Sequence, residues 1–96
     1  MDRNRIYRRY LVKGRVQGVG FRWFVEYEAR RIGVGGWVRN RDDGAVEVLA
    51  SGSDAQLNSL YESLREGPRA ARIDRVEVDE VAPFSGYQTF QIEETR

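Results

Sequence analysis

The chain is predicted to be an α+β domain in which two helices cover one face of a mostly antiparallel sheet of four to five strands. Three observations predict it. Apolar residues alternate with period two near residues 6–13, 36–40, 46–51 and 72–81; two stretches of helical period lie among them; and glycine-containing turns sit at the joints.

Residues 6–13 alternate as a first strand, with Tyr10 and Val12 facing inward. Gly14, Gly18 and Gly20 make the following stretch a loop. From Phe21 the period lengthens, and Phe21, Phe24, Val25, Ala29 and Ile32 share one face of an amphipathic helix that Gly33 should stop. Residues 36–40 form a second strand, and Asp43-Gly44 supplies a hairpin turn. On the third strand Val46, Val48 and Ala50 alternate with Glu47, Leu49 and Ser51. Ser53 and Gln56 make a capping box for a second helix, with an apolar stripe of Leu57, Leu60, Tyr61 and Leu64 and an end at Gly67-Pro68. A fourth strand over 72–81 places Val76 and Val78 on one face; Ile73 is out of phase, which predicts a bulge or a later start. Phe90 and Ile92 add a short edge strand. The β-α-β-β-α-β order is that of a ferredoxin-like sandwich, a fold that hosts many functions and decides none.

Size and composition narrow the chemistry. At 96 residues the chain fits one domain spanning 1–96, burying about 60–70% of its unfolded surface, so the core is thin. A hydrophobic fraction of 41% and a charged fraction of 32% read as a soluble globule. No apolar run approaches the roughly 20 residues of a membrane span. The charged N-terminus lacks the apolar core of a secretory signal, so cytoplasmic residence is the expectation; the sequence does not show oligomeric state, and a monomer is the default. The chain has no cysteine and no histidine, which excludes disulfides, thiolate nucleophiles, Cys/His zinc sites and a Ser-His-Asp triad. A net charge of +1 makes no electrostatic case for nucleic acid. Arg3, Arg5, Arg8 and Arg9 crowd the N-terminus, either as a solvated strand edge or as an aid in attracting anionic substrates.

The loop before the first helix is where chemistry should be sought. A glycine-rich turn entering a helix N-terminus aims several main-chain N–H groups at one point, and the helix end adds positive potential. Gly18 and Gly20 can adopt positive φ and let the backbone approach a phosphate. Arg22, in the first helical turn, can bend its planar fork over the same point. The loop alone leaves the plainer reading open, a tight strand-to-helix turn beside a surface arginine. No Lys-Ser/Thr pair follows for a P-loop, and Trp23 stands where a dinucleotide fingerprint needs its third glycine.

Topology brings a second residue to this point. In a split βαβ unit the first and second strands run parallel, with the third between them. Their C-terminal ends then lie on one edge, two inter-strand spacings or roughly 9–10 Å apart. The glycine loop leaves one end and Asn40 closes the other. By itself Asn40 also reads as a turn residue ahead of the Asp-Gly hairpin.

Residues 14–22, GRVQGVGFR, are similar at every fixed position to the first signature of the acylphosphatase family, G-x-V-Q-G-V-x-F-R. Residues 36–48, GWVRNRDDGAVEV, are similar to the second, G-W-V-x-N-x-x-D-G-x-V-E. The chain resembles this family nearly end to end. The resemblance implies a phosphate-binding role for Arg22 and a water-positioning role for Asn40. It implies a phosphate cradle built from the main-chain amides of Arg15, Val16, Gln17, Gly18, Val19, Gly20 and Phe21. It also implies hydrolysis of a small-molecule acyl phosphate to a carboxylate and inorganic phosphate by in-line attack of water, with no metal or cofactor and no nucleic-acid or membrane partner.

Two rivals share the fold. One is a binding module, either a ferredoxin-like RNA binder or a small-ligand regulatory domain; RNA binding of this kind needs exposed aromatics on the sheet, whereas the third strand carries Glu47 there. A domain serving carbamoyl transfer, as found fused in hydrogenase maturation factors, would share the cradle. Asp42 and Asp43 read as turn residues, and Trp23, Tyr27 and Trp37 as packing or partly exposed aromatics, with contact to the substrate as the minor alternative.

Overall fold

The computed structural model describes residues 5–96. Its elements are β1 (Ile6–Arg15), α1 (Phe21–Ile32), β2 (Gly35–Asn40), β3 (Val46–Gly52), α2 (Asp54–Glu66), β4 (Arg72–Glu80) and β5 (Phe90–Ile92). The sheet order is β4-β1-β3-β2-β5. All neighbours are antiparallel except β2 and β5. This is the ferredoxin-like arrangement, with β5 as the added edge.

The core forms where the period-two row of the sheet meets the two helical stripes. Tyr10, Val12, Val38, Val48 and Ala50 pack against Phe21, Val25 and Ala29 of α1 and Leu57, Leu60 and Leu64 of α2, all fully or almost fully buried. Phe24, Ile32 and Tyr61, expected on those stripes, are half-buried at the margin of this cluster. Both helices end at glycine. The Gly33 N–H donates to Ala29 O at 2.8 Å and the Gly67 N–H to Ser63 O at 2.9 Å. The predicted capping box opens α2: Ser53 Oγ accepts from the Gln56 N–H, and Gln56 Oε1 accepts from the Ser53 N–H.

The structure alters the expectations in five places. β1 runs to Arg15, two residues past the predicted end, because Gly14 and Arg15 pair with Ile73 and Arg72 of β4. The register shifts between Lys13 and Gly14, leaving Asp74 as the extra residue on β4. This is the bulge that the phase of Ile73 predicted, and it lets both Ile73 and Val76 pack against the core. Val78 does not share that burial and is exposed, since β4 is an edge strand with a neighbour on one side only.

The third difference is Glu47, which is buried although its position in the alternation faces away from the helices. Its cross-strand neighbour is Arg39, whose Nε and Nη2 both lie 2.8 Å from Glu47 Oε1. Arg9 Nη1 approaches Oε2 at 3.6 Å and Arg41 Nη1 approaches Oε1 at 3.9 Å. Three guanidinium groups thus roof the carboxylate, which is how a charge is tolerated out of water.

Fourth, the N-terminal arginines are engaged within the fold. Arg5 donates to Ser51 Oγ at 3.0 Å, Arg8 pairs with Asp54 at 2.9 Å, and Arg9 pairs with Asp79 at 3.4 Å as well as with Glu47. Arg8 sits seven residues before the end of β1, roughly 23 Å along the strand, while Arg3 lies outside the described residues. Fifth, the Asp43-Gly44 hairpin is a three-residue loop: Arg41 N–H bonds Ala45 O and Gly44 N–H bonds Arg41 O. Gly44 takes the left-handed φ of 94° that this turn requires. Among the described residues, no helix is long and apolar enough to cross a membrane.

Candidate active site

β1 and β2 both pair antiparallel with β3, so they run parallel to each other and end on the same edge of the sheet. A cleft of about 290 Å³ lies at that edge, lined by Val16, Gly18, Gly20, Phe21, Arg22, Trp23 and Asn40. Two segments that are 18 residues apart from Arg22 to Asn40 therefore share one wall system, as the split βαβ topology requires.

The floor is set by backbone geometry. Gly18 has φ 73° and Gly20 φ 77°, with no other atom within 4 Å of where a Cβ would stand. The left-handed dihedral, not crowding, is what requires glycine in the loop. Gly20 is also the N-cap of α1, and it supplies no side-chain acceptor; the first turn carries no acidic residue either. Helical bonding starts with Phe24 N–H to Gly20 O at 3.1 Å, so the amides of Phe21, Arg22 and Trp23 lack a helical acceptor. The contrast is with α2, whose first turn is closed by Ser53, Gln56 and Asp54. An open helix end beside a cleft attracts an anion through both its N–H groups and its dipole.

Two side chains complete the walls. Arg8, Arg9, Arg39 and Arg41 are each held by carboxylates. Arg22, half-buried at the cleft, forms no salt bridge or side-chain hydrogen bond among the described residues. Asn40 Oδ1 is buried and has no hydrogen-bond partner. An unpaired buried acceptor costs about 1–3 kcal/mol, and such a group calls for an explanation in function. The Asn40 backbone is held on both sides: it pairs with Val46 of β3, and its carbonyl accepts from the Arg96 N–H at 2.9 Å. No carboxylate lines the cleft. Asp43, three residues beyond Asn40 in the hairpin, has its carboxyl held below the usual range, chiefly by the hydrogen bond it accepts from the Ala45 N–H and also by the Arg41 guanidinium.

Of the residues singled out from sequence, Arg22, Asn40, Val16, Gly18, Gly20 and Phe21 meet at the cleft, and three others do not line it. Arg15 is the exposed last residue of β1, paired with Arg72. Val19 packs on the core margin. The Gln17 side chain turns away to donate to Arg41 O at 2.8 Å and Ala45 O at 3.0 Å, joining the loop to the hairpin after Asn40. Trp23, which the sequence marks mainly as a packing or partly exposed aromatic, also lines the cleft and is 77% exposed on its rim. Its place two residues from Phe21 and two from Val25, off the buried helical face, is the sequence signal that marks it as outward.

The acylphosphatase family model matches residues 8–92. The chain is 61% identical over 88 residues to the acylphosphatase of Koribacter versatilis strain Ellin345, covering 92% of this chain and 80% of that protein. Among solved structures, the acylphosphatase from Bacillus subtilis aligns with a TM-score of 0.87 at 42% identity, covering 92% of this chain and 98% of that one. Full-length HypF in its phosphate- and nucleotide-bound form aligns with a TM-score of 0.85 at 28% identity; the match covers 95% of this chain and 12% of that chain, so it involves one segment of HypF. Likeness of this extent, with both signature segments meeting in one cleft, shows that the chain belongs to the acylphosphatase family.

Proposed function

We propose that the cleft hydrolyses the carboxyl–phosphate anhydride of a small acyl phosphate, using Arg22 and the loop amides to hold the phosphoryl group and Asn40 to orient the attacking water. The observation that carries this reading is the pairing, in one cleft, of a guanidinium without a carboxylate partner and a carboxamide oxygen without a donor, beside an uncapped helix end.

Water attacks phosphorus in line. A P–O bond forms to the water oxygen while the bond from phosphorus to the carboxylate oxygen breaks, its electron pair leaving with the carboxylate. The cradle amides and Arg22 stabilise charge on the phosphoryl oxygens throughout. Asn40 holds the water on the face opposite the leaving group, replacing a random encounter by a fixed one. Neither side chain is a base: a guanidinium stays protonated and an amide is not basic. None is required, because a carboxylate with a conjugate-acid pKa of about 4 leaves without protonation and a phosphate oxygen takes the water's proton. The reaction so written uses no metal or cofactor. The chain acts as a single domain, as a monomer in the cytoplasm, without nucleic-acid or membrane partners.

RNA binding is disfavoured by the open face of the sheet. Trp37 there lies half-buried with the Arg39 guanidinium 4.6 Å from its ring centre, and Arg9, Arg39 and Arg41 are turned onto Glu47.

The test is steady-state hydrolysis of an aryl acyl phosphate, with chelator added in parallel. Arg22→Ala should lower kcat/KM by at least the 10²–10³-fold associated with one preorganised donor, and it should weaken inhibition by inorganic phosphate. Asn40→Ala should lower kcat with little change in that inhibition. Intact turnover in Asn40→Ala with weakened phosphate binding would reverse the two roles, and loss of activity on chelation would contradict the metal-free reaction.

A further inference from the structure

We infer that Trp23 is the platform for the acyl group, and that this enzyme favours acyl phosphates whose acyl part is aromatic or broad and apolar. The inference rests on the hydrolytic reading above and extends it to the half of the substrate that the phosphate cradle does not touch.

Trp23 directly follows Arg22 in the first turn of α1 and lines the same cleft as Arg22 and Asn40. The other large apolar side chains of that lining, Val16 and Phe21, are 1% exposed and belong to the core. Trp23 belongs to no part of the core cluster. Among the described residues it stacks on no other ring and carries no cation over its face. A single exposed aromatic is ordinary on a protein surface. One that borders the cleft, beside an unpaired guanidinium, stands where a ligand would meet it.

In-line geometry says which part of the ligand that is. With the phosphoryl group on the loop amides and Arg22, and water on the Asn40 side, the leaving carboxylate points away from Asn40. Its substituent must then pass the remaining rim, formed by Gly18, Gly20, Arg22 and Trp23. Glycines offer no side-chain surface and Arg22 is committed to phosphate, so the indole face is the apolar surface available. A flat aromatic acyl group can stack on it, whereas an acetyl group covers little of it. Tyr27, one turn further along α1 and 66% exposed, is absent from the cleft lining and serves as the control.

The experiment compares kcat/KM for benzoyl phosphate with that for acetyl phosphate in the full chain. Trp23→Ala should reduce the benzoyl-to-acetyl ratio about tenfold, the size of one aromatic contact. Trp23→Phe should keep most of the ratio, and Tyr27→Ala should leave it unchanged. An unchanged ratio in a folded Trp23→Ala protein, or in Trp23→Leu should the alanine variant fail to fold, overturns the inference while leaving the hydrolytic reading intact. If the unmodified chain hydrolyses neither compound, the hydrolytic reading falls and this inference with it.

Discussion

The side-chain amide of Gln17 donates to the main-chain carbonyl of Arg41 across 2.8 Å, tying the glycine loop before α1 to the residue after Asn40. A second bond from the same nitrogen reaches Ala45 O at 3.0 Å, at the far side of the hairpin. The glycine loop and Asn40, proposed above to hold the phosphoryl group and to orient water, come from different strands, and this amide links the two segments. Gln17→Leu keeps the bulk and removes both bonds, which should lower stability by about 1–2 kcal/mol. That corresponds to a fall in Tm of about 4–8 °C per kcal/mol for a domain of this size. Well below the melting range, kcat/KM for an acyl phosphate should still fall about tenfold, since small misplacements of reacting groups are expensive. A lowered Tm with unimpaired kcat/KM would show the tie to be structural alone.

Gly18 tests whether the loop depends on backbone conformation or on space. A Cβ at Gly18 would meet no atom within 4 Å, yet its φ is 73°. Gly18→Ala should therefore destabilise by about 1–2 kcal/mol through the left-handed conformation alone, and inorganic phosphate should inhibit less well as the loop relaxes. Thermal melts and phosphate inhibition, read together, check this. A variant with unchanged Tm would mean that the loop adopts another conformation at no cost.

Acid should loosen the hairpin that follows Asn40. Asp43 accepts from the Ala45 N–H at 3.1 Å and from Arg41 Nε at 3.1 Å, and its carboxyl is held below the ordinary range in the folded chain. Its contribution to stability is therefore fully present above the unfolded value of about 3.9 and disappears as pH falls through the lower folded value. Asp43→Asn should melt below the unmodified chain at neutral pH, and the gap should close as pH is lowered toward 2. Paired melts along a pH series measure it, and a gap constant with pH would contradict the assignment.

At the alkaline end the group to watch is Tyr10. Its ring is fully buried, its hydroxyl donates to Leu57 O at 2.9 Å, and burial pushes the phenol above its ordinary value. The folded chain holds this proton more tightly than the unfolded one. The resulting stabilisation is complete below the unfolded value of about 10 and is lost as pH rises through the raised one. Tyr10→Phe should cost about 1 kcal/mol at pH 7 from the missing hydrogen bond. It should also lose less stability than the unmodified chain between about pH 9 and about pH 11, the window around the unfolded value of about 10. Denaturant unfolding at the two pH values decides.

Much of this molecule was legible in local order. Period-two rows ending at Val12, Val38 and Ala50, helical stripes through Val25 and Leu60, the Ser53–Gln56 box and the stops at Gly33 and Gly67 all act within a few residues of one another. They specified the element order and, through it, the shared edge where Arg22 and Asn40 meet. Even the bulge on β4 was written in the phase of Ile73. The rest was decided by register between strands that sequence adjacency does not encode. Glu47 reads as an outward residue until pairing sets Arg39 opposite it and brings Arg9 and Arg41 over it. Gln17 reads as one more cradle residue until the fold carries Arg41 and Ala45, 24 and 28 positions away, within reach of its amide. Trp23 is outward by its helical angle, but only the packing of α1 against the end of β2 makes that outward side the wall of a cleft. Local propensity selects the elements; burial and hydrogen bonding between distant segments select what each side chain is given to do.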